Sequence, residues 1–180
     1  MLQITIPESE HWDESKGEFV YTKEQTLCLE HSLVSLSKWE SKWNKAFLSK
    51  KEKTQEETID YIRCMTLTKN VDPKVYGRLT SAQFNTIHEY INAPMTATYF
   101  SEDKNGKTSR EVITAEIIYH WMISLQIPFE CQKWHLNRLI TLIRVCSIKN
   151  APPKKMGKRA TASNYAAMNA ARRQQFNTRG

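Results

Sequence analysis

The sequence predicts a mostly helical α+β fold, with a small N-terminal antiparallel sheet, about five helices and a basic C-terminal arm. Apolar residues alternate with polar ones over much of the first thirty residues, which is typical of half-buried strands. From about residue 35 the apolar spacing becomes three and four, which is typical of amphipathic helices. We therefore expect one body over residues 1–150, with the sheet in 1–34 and the helices in 35–150, and an arm over 151–180.

The N-terminal strands are indicated by three short stretches of alternation, the first of which stops at Pro7. Their apolar members are Leu2, Ile4 and Ile6, then Phe19 and Tyr21, then Leu27 and Leu29. Trp12 lies between the first two stretches among polar residues, and we expect it in a loop. The pattern predicts two or three strands.

A short helix is predicted to follow the sheet, beginning near residues 35–37. Ser37 and Glu40 have the spacing of a capping box, in which each side chain bonds the other residue's backbone N–H. Trp39 and Trp43 lie four apart and therefore on one side of this helix. Two interpretations follow: both tryptophans anchor the helix in the core, or they form a stripe that binds a partner.

Three further helices are predicted to begin at capping boxes. The pairs are Thr54 with Glu57, Thr80 with Gln83, and Thr108 with Glu111. The helix beginning at Thr108 is the most apolar in the chain, which favours a central position, and it stops before Pro128. The last helix of the body is predicted over about Glu130 to Ile148 and forms an antiparallel pair with the one before it.

The arm carries the whole charge imbalance of the chain. Residues 1–150 hold nineteen basic and nineteen acidic residues, whereas residues 151–180 hold seven basic and no acidic ones. The seven are Lys154, Lys155, Lys158, Arg159, Arg172, Arg173 and Arg179. The prolines at 152 and 153 end the body, and an alanine-rich helix capped by Thr161 or Ser163 is predicted beyond them. A helix of this length is marginal alone in water, so we expect the arm to be partly helical or disordered until it binds.

Membrane and metal partners are not indicated by the sequence. The longest apolar runs fall well short of the roughly 18 residues of a membrane span, and the first residues lack the pattern of a signal peptide. We expect a soluble protein that is made in the cytoplasm. Four scattered cysteines without a CxxC motif favour buried thiols, although Cys131 and His135, four apart, have a spacing that could supply two zinc ligands.

Catalytic motifs are absent from the sequence. It contains no GxSxG, HExxH, Walker loop or GxGxxG, and its five histidines lie on separate predicted elements. We therefore expect no enzyme, no catalytic residues and no cofactor.

The basic arm suits two kinds of partner. Lys154, Lys155, Lys158 and Arg159, with the Arg172–Arg173 pair, could neutralise phosphates of a nucleic acid. The same cations could bind an acidic protein surface. No known nucleic-acid-binding motif occurs in the body.

Three segments resemble a family of tail assembly chaperone-like proteins of tailed bacteriophages and prophages. They are residues 33–43 (LVSLSKWESKW), residues 133–139 (KWHLNRL) and the ending NAARR at residues 169–173. The resemblance covers most of the chain and includes no catalytic fingerprint.

The resemblance implies a chaperone that binds the tape-measure protein and keeps its apolar helices soluble until tail-tube subunits polymerise round it. A partner helix of this kind would be bound by the Trp39 and Trp43 stripe and by the arm. Such a role is compatible with a homo-oligomer. The alternative is a virion structural or DNA-associated protein that uses the basic arm.

Overall fold

The computed structural model describes residues 1–13, 17–100, 112–152 and 157–177. Antiparallel strands at the N-terminus precede a mostly helical remainder, which confirms the predicted fold class. The chain divides into two units, Met1–Ile148 and Lys149–Gly180, so the division lies two residues before the predicted one. Among the described residues, no helix combines the length and apolarity needed to cross a membrane.

Four strands form two separate two-stranded antiparallel sheets in the described part of the chain. Their bounds are β1 (Leu2–Ile6), β2 (Ser9–Asp13), β3 (Glu18–Thr22) and β4 (Gln25–Leu29). β1 pairs with β4, which places Ile4 opposite Leu27 on the buried side. β2 and β3 form a hairpin in which Trp12 lies opposite Phe19, so the prediction of a loop at Trp12 is wrong. A polar strand such as SEHWD lacks the apolar alternation that identifies half-buried strands.

Helix α1 spans Leu33–Trp43 and begins earlier than the sequence predicted. Ser32 is its N-cap, and Ser35 completes the capping box by accepting the N–H of Ser32 at 2.9 Å. The predicted pair of Ser37 and Glu40 is therefore wrong, because both residues already lie inside the helix. The helix ends at Asn44, whose φ of 52° is the left-handed conformation typical of a helix C-terminus.

Glu40 instead connects α1 to two distant segments. Its carboxylate accepts the N–H of Phe47 at 2.8 Å and that of Ala115 at 2.7 Å. Ala115 is the first residue of helix α4 (Ala115–Ser124), whose N-cap residue makes no side-chain capping bond. Glu40 is buried, and burial raises its pKa even though both hydrogen bonds act in the opposite direction. A carboxylate from α1 thus caps a helix 75 residues away.

The next two helices begin where their capping boxes predicted. Helix α2 spans Gln55–Met65 with Thr54 and Glu57 as its box, and α3 spans Ser81–Asn92 with Thr80 and Gln83. A 3-10 helix, Pro73–Arg78, lies between them and is capped by Asp72. These local predictions are confirmed because a capping box needs only residues three apart in sequence.

The last part of the body departs from the prediction in two places. Helix α4 spans Ala115–Ser124, whereas the predicted box of Thr108 and Glu111 lies outside the described residues. Residues 112–114 are not helical, so the helix does not extend back to that box. The single helix predicted from Glu130 is instead a 3-10 helix, Phe129–Lys133, followed by α5 (Leu136–Asn150).

The body contains two apolar clusters. The first joins β1, β4, α1, α2 and α3 and includes Trp39, Tyr61 and Ile87. The second joins α1 to α4 and α5 and includes Leu33 and Ile118. Each fully buried side chain of this kind contributes about 1.5–3 kcal/mol relative to its exposed state. Helix α1 supplies residues to both clusters and so connects the two halves of the body.

The second unit contains helix α6, Lys158–Phe176, which begins after Gly157. It starts earlier than predicted, because neither Thr161 nor Ser163 is the cap. Side chains from Ala162 to Phe176 are exposed.

Candidate functional site

An apolar groove lies between α2, α3 and the segment that follows α1. Its volume is about 370 Å³, which is within the range of ligand sites. The apolar and aromatic residues that line it are Phe47, Leu48, Tyr61, Ile62, Phe84, Ile87 and Ile91. His31, Lys53, His88, Asn92 and Asn137 are among its polar lining residues. The capping boxes of α2 and α3 fix where these two walls begin.

The aromatic wall of the groove is held rigidly. The ring of Phe47 stacks on that of Tyr61 with 3.7 Å between centroids. The ammonium group of Lys53 lies 4.7 Å from the centre of the Phe47 ring, within range of a cation–π contact. Phe47 also donates its N–H to Glu40, which fixes its backbone. This wall is therefore formed before any partner binds.

The floor of the groove contains a buried hydrogen-bonded histidine. Nδ1 of His31 lies 2.6 Å from the Tyr61 hydroxyl, and the His31 carbonyl accepts the N–H of Leu136 at 2.7 Å. Burial, with a smaller effect from nearby His135, lowers the pKa of His31 to about 3. Burial also raises the pKa of Tyr61 above its usual value, so the tyrosine keeps its proton. At neutral pH the hydrogen bond therefore joins an uncharged imidazole to a protonated tyrosine hydroxyl.

His135 continues this polar cluster into the body. Its ring lies 5.1 Å from that of His31, and its Nε2 lies 3.0 Å from the carbonyl oxygen of Tyr90. The Tyr90 hydroxyl in turn donates to Glu30 at 2.7 Å. Burial lowers the pKa of His135 and raises that of Tyr90. The cluster therefore joins the segment between β4 and α1 to α2, α3 and the residue before α5 through uncharged rings.

The two residues weighed as zinc ligands do not share a helical face. Cys131 lies in the 3-10 helix, which ends at Lys133, and His135 precedes α5. Within the described ranges, no group of three or more His, Cys, Asp or Glu residues is placed to hold a metal ion. All four cysteines are free thiols, and only Cys131 is fully buried.

The two tryptophans differ in their positions. Trp39 is 1% exposed, and its Nε1 donates to the carbonyl of Glu57 at 2.9 Å. It belongs to the core and is not presented to a partner, which decides between the two interpretations for this residue. Trp43 is half-buried, and its Nε1 donates to the Asp60 carboxylate at 2.8 Å. Part of the Trp43 ring remains accessible beside Lys42 and Lys45.

The predicted cations of the arm are only partly described. Lys154 and Lys155 lie outside the described residues, and Lys158 and Arg159 are the first two residues of α6. Arg172 and Arg173 are exposed near its C-terminus. Tyr165, Met168 and Phe176 are also exposed, at 63%, 52% and 68%.

The hairpin of β2 and β3 is a surface that the sequence did not identify. Trp12, Phe19 and Tyr21 are exposed there, and the rings of Trp12 and Phe19 meet edge to face with 4.9 Å between centroids. In the sequence, the alternation of Phe19 and Tyr21 predicted a strand, but it did not predict that these two side chains face solvent. The pairing with β2 decides that side.

Comparison of the chain with protein-family models, curated proteins and solved structures gave no match. The groove, the hairpin and α6 are therefore the features from which a function can be argued.

Proposed function

We propose that this chain is a non-enzymatic phage tail assembly factor that binds an apolar helix of the tape-measure protein. The observation that carries the proposal is the apolar groove between α2 and α3. An amphipathic helix laid in this groove would be shielded from water, and therefore from aggregation, until tail-tube subunits replace the chaperone. The resemblance of residues 33–43, 133–139 and 169–173 to tail assembly chaperones supports the same role.

The hydrogen bonding of the groove favours a helix over a polar small molecule. Asn137 already donates both amide hydrogens, to the carbonyls of Ile91 at 2.9 Å and Ala93 at 2.8 Å. His31 is already paired with Tyr61. The Asn137 amide hydrogens and Nδ1 of His31 are therefore already engaged within the protein. The backbone N–H and C=O groups of a helix are hydrogen-bonded to each other, so a helix can place apolar side chains on this floor without burying unpaired polar groups.

The pKa values of His31 and Tyr61 in the groove favour a binding role over a catalytic one. A general acid or base works best when its pKa lies near the operating pH. Burial instead lowers the pKa of His31 to about 3, and it raises that of Tyr61. Both groups act as fixed hydrogen-bonding partners at pH 7.

The proposal is tested by co-expressing the full chain with overlapping segments of the tape-measure protein of the same phage. We expect at least one segment to become soluble and to co-purify. Leu48→Asp places a carboxylate in the groove, where Leu48 is 38% exposed, and should weaken the affinity by about a hundredfold, equivalent to about 3 kcal/mol.

Leu67→Asp is the matched control, because Leu67 is 57% exposed and does not line the groove. It should leave co-purification unchanged. Recovery of no segment with a folded chain, or equal recovery with both variants, would refute the proposal.

A further inference from the structure

One face of the β2–β3 hairpin combines exposed aromatic rings with carboxylates. Cross-strand partners share a face, and Glu10 lies opposite Tyr21 while Trp12 lies opposite Phe19. The three rings on this face are 52–65% exposed. Glu8, two residues before Glu10, accepts a hydrogen bond from the Tyr21 hydroxyl. We call these five residues the ribbon face.

The charge of the hairpin indicates what this surface attracts. Residues 8–24 contain six acidic residues and two lysines, which gives a net charge of −4. Exposed aromatic rings beside carboxylates suit arginine, because a guanidinium can stack on a ring and bond a carboxylate at once. A hairpin with exposed rings on this face is also the kind of apolar patch that marks an interaction site. The ribbon face therefore fits a cationic segment that also carries apolar groups.

Helix α6 has this chemistry. Tyr165 and Phe176 are eleven residues apart, which is close to three full turns, so they lie on the same side. At 100° per residue, Arg172 lies within about 40° of both rings around the helix axis, and Arg173 within about 80°. No acidic residue occurs in residues 151–180 to oppose these charges.

The two surfaces also match in length. From Tyr165 to Phe176 the helix rises about 16–17 Å at 1.5 Å per residue. A five-residue strand such as β2 spans about 14 Å from its first to its last residue at 3.4 Å per residue. Arginines on α6 can therefore reach the carboxylates of the ribbon face while Tyr165 and Phe176 meet its rings.

We propose that the ribbon face of one copy of this chain binds helix α6 of a second copy. The contact joins two different surfaces, so each copy keeps one donor and one acceptor surface, and association proceeds head to tail into a ring or a linear assembly. This inference is independent of the groove and of the proposed function.

The test is sedimentation of the full chain after nuclease treatment, at concentrations from micromolar to near millimolar. We expect wild type to associate at low salt and to dissociate at high salt, since exposed charges are screened. Arg172→Glu with Arg173→Glu should abolish association, and because both side chains are exposed on α6 this variant keeps the body intact. Glu8→Arg with Glu10→Arg should abolish it as well.

Mixing the two variants distinguishes this contact from general charge effects. The reversed hairpin of one variant is complementary to the reversed helix of the other, so an equimolar mixture should associate although neither variant does so alone. Lys50→Glu with Lys51→Glu is the control for net charge, since these exposed lysines lie in the loop after α1. It should associate like wild type.

Three results would overturn the proposal. A wild-type chain that stays monomeric at all concentrations would refute the contact between copies. Association that survives the α6 reversal would show that another surface is responsible. Association that requires added duplex DNA would assign α6 to nucleic acid instead.

Discussion

His31 shows how burial changes what a histidine can do. His31 is 2% exposed, and the groups that face its ring are the Tyr61 hydroxyl, which is hydrogen-bonded to it, and the ring of His135. With its pKa lowered to about 3, the side chain remains uncharged well below neutral pH. In the unfolded chain the same imidazole takes up a proton below about pH 6.5.

This difference predicts the pH dependence of stability. Between about pH 6.5 and pH 3 the unfolded state binds a proton that folded His31 does not, so the free energy of unfolding falls as the pH drops, by up to about 1.4 kcal/mol per pH unit. His31→Leu should reduce this slope in urea denaturation. An unchanged slope would show that His31 is not the group responsible.

The partner of His31 offers a second measurement. His31→Leu alone leaves the buried Tyr61 hydroxyl without its hydrogen-bond partner, at a cost of about 1–3 kcal/mol at pH 7. Adding Tyr61→Phe removes the orphaned hydroxyl, so the double variant should be more stable than the sum of the single variants predicts. A strictly additive double-mutant cycle would contradict a direct hydrogen bond.

Helices α1 and α2 are joined by polar contacts as well as by the core. Asp60 of α2 accepts hydrogen bonds from Lys42 and from Trp43, and Lys45 binds Glu57. Burial alone would raise the pKa of Asp60, but the bonds from Lys42 and Trp43 hold it below its usual value. The ionised carboxylate therefore stabilises the fold above the unfolded pKa of about 4, and that contribution is lost as the pH falls through the lowered folded pKa.

Asp60→Asn should lower the free energy of unfolding at pH 7 by about 1–2 kcal/mol, because the bond to the charged Lys42 is lost. The loss is moderate because the exposed Lys42 returns to water. The difference between wild type and variant should shrink as the pH falls through the lowered pKa of Asp60, as urea denaturation at neutral and at acidic pH can show. Exposed Glu56→Gln on the same helix is the control, and an equal effect there would contradict a specific role for Asp60.

Sequence reasoning succeeded at this scale where the interaction is local. The boxes at Thr54 and Thr80 were found because each partner lies three residues away. It failed for Glu40, because a carboxylate that caps α4 from 75 residues away leaves no local signature. It also placed Trp12 in a loop, since that residue's strand is defined by its partner Phe19.

At the scale of the whole molecule, the fold class was predictable and the groove was not. The strand-like and helix-like spacings of apolar residues and the charge imbalance of the arm can be read directly from the sequence. They are enough to predict a mostly helical α+β body with an appended basic unit. The groove gathers residues from His31 to Asn137, and the histidine cluster joins positions 104 residues apart. Their proximity follows from tertiary packing, which periodicity does not encode. Tertiary packing likewise buried Trp39 and left Trp43 half-exposed.

The division into two units predicts that the body does not depend on the arm. The buried apolar residues of the described chain all lie between Ile4 and Ile143. A chain ending at Asn150, which keeps α5 whole, should therefore melt within about 2 °C of the full chain by circular dichroism. A larger decrease would show that residues 151–180 stabilise the body.

The contact of Glu40 with Ala115 has a consequence for the order of events on the ribosome. The first apolar cluster is complete once residues up to about 91 have emerged, whereas the second also requires α4 and α5. Until Ala115 is translated, the Glu40 carboxylate can hold Phe47 but has no α4 to cap. The N-terminal half can therefore form during synthesis. The Glu40 carboxylate is then already in place to accept the Ala115 N–H when helix α4 forms.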